Sequence, residues 1–184
     1  PGAGTSYLCR NNGNATFTRA NNSWGIDQKT VSAGAAYVDL DNDGAMDLVI
    51  NNTNDYAAIY RNNARRLNKS HYIKIALQGD PENGTGIGSK IKLFCKDTIF
   101  YQEAFPVRGF QSSVDPVLFF GTGDHATIDS ILVIWPDDHF QLLKNVPTDQ
   151  MLKIAKTNAS GVWDYKTQKA KTLLSAAAGP IHKE

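Results

Sequence analysis

The sequence predicts an all-β fold, because short apolar runs rich in strand-forming residues recur along most of the chain with turn residues between them. Helical periodicity is weak, and residues 168–178, rich in Ala, Lys and Leu, are the best candidate for a helix. A strand ending in Arg-Asn-Asn occurs twice, at residues 7–12 and 58–63, with a spacing of 51 residues. Such a period is typical of propeller blades or repeat arrays, so we expect a partial propeller followed by a sandwich or barrel.

Length and charge limit the classes of partner. The chain has 184 residues, 41% of them hydrophobic, which is enough for one large domain or two small ones. A net charge of +1 argues against a nucleic-acid partner, and no apolar run has the length of a membrane span. The first residues lack the charged and apolar regions of a signal peptide, and we expect the chain to be cut from a longer one.

The chain before residue 69 is predicted to hold little more than one blade. Residues 7–19 have the pattern of a hairpin with an Asn/Gly turn, and residues 57–61 form a further strand. Residues 20–34 are a polar connector, in which Trp24 is the expected anchor. Because blades pack on their neighbours, this partial repeat is expected either to fold back onto the second domain, covered by the connector, or to self-associate through its incomplete edges.

Four Asp residues lie close together in one short loop. Asp39, Asp41, Asp43 and Asp47 occupy positions 1, 3, 5 and 9, and Gly44 at position 6 permits a sharp turn. Carboxylates this close repel one another unless a cation lies between them, and oxygen ligands at this spacing suit Ca²⁺. The predicted calcium ligands are Asp39, Asp41, Asp43, the backbone carbonyl of Ala45, and Asp47 with both its oxygens.

The flanks of this loop distinguish it from an EF-hand. That motif needs a Glu at position 12 and a helix on either side. Here Ile50 stands at position 12, and apolar strand formers flank the loop at 35–38 and 48–50. The sequence therefore predicts a calcium loop between two strands. The alternative is a solvated Asp-rich hairpin turn, since Asp, Asn and Gly are common in turns.

The second half of the chain has the strand spacing of a sandwich or barrel. Residues 136–138, Pro-Asp-Asp, are predicted to form a hairpin turn between two apolar runs. We expect a partial repeat at 1–68, a β-domain at 69–157, and a tail or the start of a further repeat at 158–184. The predicted strands of the β-domain are 72–78, 90–95, 99–105, 117–120, 128–135, 140–146 and 151–154.

Two cysteines, Cys9 and Cys95, each lie in an apolar strand-like run. We predict two buried free thiols that pack as small hydrophobic side chains. A disulfide between them is the alternative, because sequence alone does not fix the geometry that such a bond requires.

Motifs in both halves resemble known families. The first half contains Arg-Asn-Asn-Gly-x-x-Thr-Phe-Thr at 10–18, Gly-Ala-Ala at 34–36, the Asp loop, and Tyr-Arg-Asn-Asn at 60–63. With these motifs it resembles the FG-GAP/VCBS β-propeller repeat. The second half resembles the ASPIC/UnbV domain that often follows such repeats, as in the cartilage acidic protein-like family. The motifs that carry this second resemblance are 86–91, 108–113, 120–123 and 131–137.

Two positions depart from these patterns, and neither belongs to the metal loop. Cys9 stands where an aromatic residue is usual, and Thr122 stands where Leu is commoner. Residues 173–184 also resemble the opening of a further repeat set.

The resemblance implies a secreted or cell-surface protein whose repeats bind Ca²⁺ through the Asp loop, with no enzymatic activity attached to the ASPIC/UnbV domain. We therefore expect a non-enzymatic, calcium-binding adhesion or ligand-binding module of a larger protein. Its partners are expected to be the rest of its own full-length chain and a protein or glycan ligand. The alternatives are an accessory substrate-binding region of an extracellular enzyme, for example one acting on glycans, and a structural spacer.

Three further motifs contain residue types that occur in binding or catalytic sites. Residues 84–90 lack the spacing of a phosphate-binding loop and are predicted to be a Gly-rich turn. Residues 137–139, Asp-Asp-His, are expected in a hairpin turn, where catalysis is not predicted. The remaining group, Arg108, Phe110 and Gln111, is either part of a structural loop or a ligand site on that loop.

Overall fold

The repeat region, residues 4–68, consists of small antiparallel sheets. The computed structural model describes residues 4–165, and within this range the repeat region holds a two-stranded pair β1–β4, a hairpin β2–β3 and a three-stranded sheet in the order β5-β6-β7. A five-residue helix, α1 (Ala64–Asn68), which the sequence did not predict, ends the region. The strands are β1 (Gly4–Thr5), β2 (Cys9–Asn11), β3 (Phe17–Arg19), β4 (Lys29–Thr30), β5 (Ser32–Val38), β6 (Asp47–Asn52) and β7 (Ala58–Tyr60).

The sandwich domain, residues 71–162, contains two facing sheets. One has five antiparallel strands in the order β10-β9-β12-β13-β15, and the other has the order β11-β8-β14, in which β14 runs parallel to β8. Single turns of 3₁₀ helix occur at Pro81–Asn83 and Lys156–Asn158. The strands are β8 (His71–Gln78), β9 (Lys90–Cys95), β10 (Thr98–Glu103), β11 (Leu118–Gly123), β12 (Thr127–Ile134), β13 (His139–Pro147), β14 (Gln150–Ala155) and β15 (Gly161–Val162).

The core lies between these two sheets and follows the alternation of the strands. Ile73, Ile75 and Leu77 of β8 join one buried cluster with the residues at alternate positions of β9 and with Ile128, Ile131 and Val133 of β12. Trp135, which directly follows β12, is buried in the same cluster. The all-β class predicted from sequence is therefore confirmed. The predicted turn at 136–138 joins β12 to β13.

The end of the sandwich domain lies further along the chain than predicted. β15 pairs with β13, and Trp163 packs edge-on against Phe140 with 5.5 Å between the ring centroids. The five-stranded sheet thus extends past residue 157, where the sequence predicted the domain to end. The predicted helix at 168–178 and the repeat-like segment at 173–184 lie outside the described residues.

Two burial predictions for the repeat region are wrong. Cys9 is exposed, because no second sheet formed by residues 4–165 covers the β2–β3 hairpin, while Cys95 is buried as predicted. Both thiols are free, as expected. Trp24 is 54% exposed, and the connector is anchored instead by Ile26 and by Asn21, whose side chain donates hydrogen bonds to the carbonyls of Ser6 and Ile26.

Two glycines of the repeat region lie close against the sandwich domain. A Cβ added to Gly34 of β5 would overlap Ser112, and one added to Gly44 would overlap the ring of Tyr72. Gly34 is the last residue of the predicted connector, so the connector contacts the sandwich domain at its end, whereas Trp24 is exposed. Self-association of the chain stays a prediction.

Candidate metal centre

The Asp-rich loop joins β5 to β6 and brings three carboxylates together. Asp39, Asp41 and Asp43 each offer an oxygen atom, and these oxygens all lie within 4.8 Å of one another. The loop forms here because short strands with apolar residues precede and follow it, and Gly44 adopts a φ of +84° that other residues rarely take. The proximity predicted from the spacing of these residues is therefore present for three of the four Asp side chains.

Hydrogen bonds from the loop's own backbone preform this cluster. The two oxygens of Asp39 accept from the amides of Asp43 and Gly44 at 3.1 and 3.0 Å. Asp41 also accepts from the amide of Asp43, and Asp43 accepts from the amide of Ala45 at 2.9 Å. Each carboxylate is thus fixed by the turn that it stabilises, which reduces the entropy lost when an ion binds.

Asp47 lies at the start of β6 and holds the loop to the chain that follows it. Its buried carboxylate accepts from the amide of Leu40 at 3.1 Å and from the amide of Asn62 at 2.8 Å. Asn62 in turn donates to the carbonyl of Met46. The repeated Asn of the Arg-Asn-Asn motif therefore closes the loop. Asp47 and the buried Ala45 stay predicted ligands.

Two basic side chains form ion pairs with the carboxylate cluster. Nζ of Lys74, on β8 of the sandwich domain, lies 2.6 Å from Oδ2 of Asp39. Nη2 of Arg61 lies 2.7 Å from Oδ2 of Asp41 and 3.5 Å from Oδ2 of Asp43. Sequence reasoning missed both residues. For Arg61 the available signal was its place in the repeated Arg-Asn-Asn motif, whereas nothing local pointed to Lys74.

Arg65 of α1 links the loop to the sandwich domain. Its Nε donates to the carbonyl of Asp43 at 3.2 Å, and its Nη1 donates to Asp149 at 2.6 Å. The guanidinium also lies 4.9 Å from the centroid of the Tyr72 ring. Burial of the Asp149 carboxyl opposes its ionisation, but the hydrogen bond with His71 and the charge of Arg65 outweigh burial and lower its pKa.

The donor set fits a hard divalent cation. Every side chain of the cluster offers a carboxylate oxygen, and Ca²⁺ takes six to eight oxygen ligands from carboxylates, carbonyls and water. Soft or nitrogen ligands, which would favour zinc or copper, are not part of the cluster. Asp39, Asp41 and Asp43 are the residues that would hold the ion, with Ala45 and Asp47 as the further ligands predicted from sequence.

A cleft lies where the repeat region meets the loop that follows β10. It has a volume of about 130 Å³, and its lining includes Tyr37, Phe105, Arg108 and Phe119. Nε of Arg108 donates to the hydroxyl of Tyr37 at 3.2 Å across the cleft. Of the loop group singled out in the sequence, the cleft includes Arg108, while Phe110 is exposed to solvent.

The other two candidate motifs lie in turns. The Gly-rich segment at 84–90 forms turns, with Gly86 and Gly88 at positive φ, and leads into β9 as predicted. Asp137 lies beside Lys156 and His139 at the turn between β12 and β13. Its hydrogen bond with Lys156 is the main cause of a pKa below the usual value for Asp.

Comparisons with known proteins match each half of the chain to a family. The sequence model of the FG-GAP-like repeat family matches residues 2–50, and that of the ASPIC and UnbV family matches residues 79–161. No curated protein matches the chain. Among residues 4–165, no helix is long and apolar enough to cross a membrane. FG-GAP-like repeats are typical of extracellular proteins.

Proposed function

Because this chain is an FG-GAP-like repeat followed by an ASPIC/UnbV domain, we propose that it is a calcium-stabilised, non-enzymatic binding module of a larger extracellular or cell-surface protein. The observation that carries the proposal is that carboxylate oxygens of Asp39, Asp41 and Asp43 all lie within 4.8 Å of one another. The bound ion is structural: it holds together a loop that connects two strands of the repeat and contacts the next domain.

Charge supports the calcium role. Three clustered carboxylates face two basic groups, Lys74 and the largely exposed Arg61, so the cluster keeps an excess of negative charge without an ion. An exposed ion pair neutralises a carboxylate only weakly. A divalent cation neutralises the cluster more completely and stabilises the folded state by mass action.

The placement of reactive side chains supports a non-enzymatic role. Cys95 is buried in the sandwich core, and burial raises the pKa of its thiol, which opposes the thiolate that a nucleophile needs. His71 and His139 each pair with a carboxylate that also binds a basic residue. These ion pairs join surface turns to the strands, so the charges of these groups are used to stabilise the fold.

The calcium role is tested by melting the protein in excess chelator and in Ca²⁺. Extracellular calcium modules have dissociation constants of about 10⁻⁴ M, so ~2 mM Ca²⁺ stabilises by about 1.8 kcal/mol. For a chain of this size we expect a rise in melting temperature of roughly 4–7 °C. The Asp43→Ala variant should lose this rise, because it removes one carboxylate of the cluster.

The matched control is Asp27→Ala, which removes an exposed Asp of the same repeat region from outside the loop. It should keep the full calcium-dependent rise. Equal melting curves in chelator and in Ca²⁺ for the unmodified protein would contradict the calcium role.

A second candidate function is supported by the cleft beside Arg108. Aromatic rings and a few polar groups at a domain junction are typical of small-ligand sites. The cleft is small, so it suits one sugar unit or one side chain rather than an extended ligand. We propose on this ground that the module also serves as an accessory glycan-binding region.

A glycan array, followed by titration calorimetry of any bound glycan, tests this second function. Arg108→Ala should abolish binding, whereas Arg10→Ala, which changes an exposed Arg on the β2–β3 hairpin, should leave it unchanged. Retained glycan binding by Arg108→Ala would place the ligand elsewhere.

A further inference from the structure

Strand β8 presents two of its outward-facing side chains to the metal loop of the preceding repeat. Ile73 and Ile75 of β8 face the sandwich core, and the residues between and before them, Lys74 and Tyr72, face the repeat region. Tyr72 lies against Gly44, and Lys74 reaches Asp39, so this face of the ASPIC/UnbV domain contacts both the turn and the first carboxylate of the loop.

The ion pair between Lys74 and Asp39 is largely buried. The side chain of Lys74 is 14% exposed, and that of Asp39 is 4% exposed. Nζ of Lys74 lies 2.6 Å from Oδ2 of Asp39 and 3.4 Å from Oδ1 of Asn42. A buried charged pair is screened little by solvent, so the attraction between these two charges is stronger than that in the exposed pair of Arg61 and Asp41.

Ca²⁺ and the Lys74 ammonium require the same oxygen. Calcium–oxygen distances are about 2.3–2.6 Å, and Nζ already lies 2.6 Å from Oδ2 of Asp39. That oxygen also accepts from the amide of Gly44. A divalent ion placed beside an ammonium at this range meets strong like-charge repulsion.

We infer that Lys74 is a built-in competitor of Ca²⁺ at Asp39, through which the ASPIC/UnbV domain lowers the calcium affinity of the repeat. This inference rests on the proposed calcium function. Ca²⁺ binding displaces the ammonium from Asp39. By linkage, Ca²⁺ therefore weakens the ion pair that joins the two domains, and separating the domains raises calcium affinity by the same factor.

Calorimetric titration with CaCl₂ tests the competition. Lys74→Met removes the charge and keeps most of the side-chain length, and we expect Ca²⁺ to bind about ten-fold more tightly or better. Lys74→Arg keeps the charge and should retain an affinity near that of the unmodified protein. The matched control is Lys153→Met, which removes an exposed Lys from β14, the neighbouring strand of β8, and should leave the affinity unchanged.

Lysine labelling of the unmodified protein gives a second readout that requires no variant to fold. Reductive methylation followed by mass spectrometry should modify Lys74 slowly in chelator and several-fold faster in saturating Ca²⁺, because a displaced ammonium is accessible. Lys153 serves as the internal standard, with equal labelling in both conditions.

Three outcomes separate this inference from the proposed function. Tighter binding by Lys74→Met, or calcium-dependent labelling of Lys74, supports the competition. Equal affinity of Lys74→Met and the unmodified protein, with unchanged labelling of Lys74, overturns the competition and leaves the calcium function standing. If neither protein binds Ca²⁺, the calcium function itself is wrong and the competition fails with it.

Discussion

The repeat region and the sandwich domain are stabilised in different ways. Of the buried hydrophobic side chains in the described part of the chain, four lie in the repeat region and seventeen in the sandwich domain. The buried polar residues of the repeat region are Asn21, Asp47 and Asn52, and each of them forms hydrogen bonds to the backbone. The sandwich thus depends on apolar burial, whereas the repeat depends on polar anchors, the Asp loop and contact with its neighbour.

The largest effect is expected in the sandwich core. Ile131 is fully buried between the sheets, and Ile131→Ala should lower the free energy of unfolding by about 2–5 kcal/mol, because it leaves a cavity in a packed core. Urea unfolding followed by tryptophan fluorescence measures the change. Ile59→Ala, at an exposed site of β7, is the control and should cost less than about 0.5 kcal/mol. Similar losses for the two variants would contradict the contrast between the regions.

The junction between the regions is tested by two glycines with nearly the same backbone. Gly44 and Gly13 have φ values of +84° and +81°, but a Cβ at Gly44 would overlap Tyr72, whereas one at Gly13 would meet no atom of residues 4–165 within 4 Å. Gly13→Ala should cost about 1–2 kcal/mol for its backbone alone. Gly44→Ala should cost roughly 1–3 kcal/mol more, because Tyr72 must move.

Urea unfolding of the two glycine variants gives this difference directly. Equal losses of unfolding free energy in the two variants would mean that the loop does not pack against Tyr72 of β8. The double variant Gly44→Ala, Tyr72→Ala sharpens the test, because removal of the ring should recover part of the extra loss.

Removal of a polar anchor of the repeat region should lower stability moderately and locally. The Asn21 side chain accepts from the amide of Leu8 and donates to two backbone carbonyls. Asn21→Ala leaves these groups without partners and should cost about 1–3 kcal/mol. We expect faster proteolysis between residues 4 and 30, with the sandwich still resistant. The exposed neighbour Asn22→Ala is the control, and cleavage of both variants at the same rate would contradict the anchoring role.

The smallest effect on stability is expected at Cys9, and thiol labelling distinguishes it from Cys95. Cys9 is exposed and Cys95 is buried, with a pKa raised by burial, so a thiol reagent should label Cys9 at once and Cys95 only after unfolding. Cys9→Ser should change the free energy of unfolding by less than about 0.5 kcal/mol. Protection of Cys9 in the native protein would mean that another surface covers the β2–β3 hairpin.

Local sequence was enough to predict the strands and the acidic cluster. The alternation of Ile91, Leu93 and Cys95 identifies a half-buried strand, and all three side chains are fully buried. Close spacing along one loop likewise brings Asp39, Asp41 and Asp43 together, because the chain between them is too short to separate them. Both inferences need only residues that are neighbours in the chain.

Non-local contacts determined what the sequence did not show. Cys and Trp are residue types that are often buried, but burial of Cys9 and Trp24 would require a second sheet over them. Within the described residues, no second sheet covers this part of the repeat region. The alternation of β8 places Lys74 on its outer face without indicating which carboxylate it meets. The parallel pairing of β14 with β8 is equally absent from any local pattern.

The parallel pairing of β8 with β14 determines how the sandwich domain resists mechanical force. The repeat region enters the domain at the start of β8, and the chain leaves the three-stranded sheet at the end of β14. Tension between these points pulls the two parallel strands in opposite directions along their length. The ladder from Ile73–Gln150 to Gln78–Ala155 is then loaded in shear, so its hydrogen bonds share the force instead of opening one by one. The two-residue β15 would peel away first, and β8 would hold as a mechanical clamp between the repeats and whatever follows them in the chain.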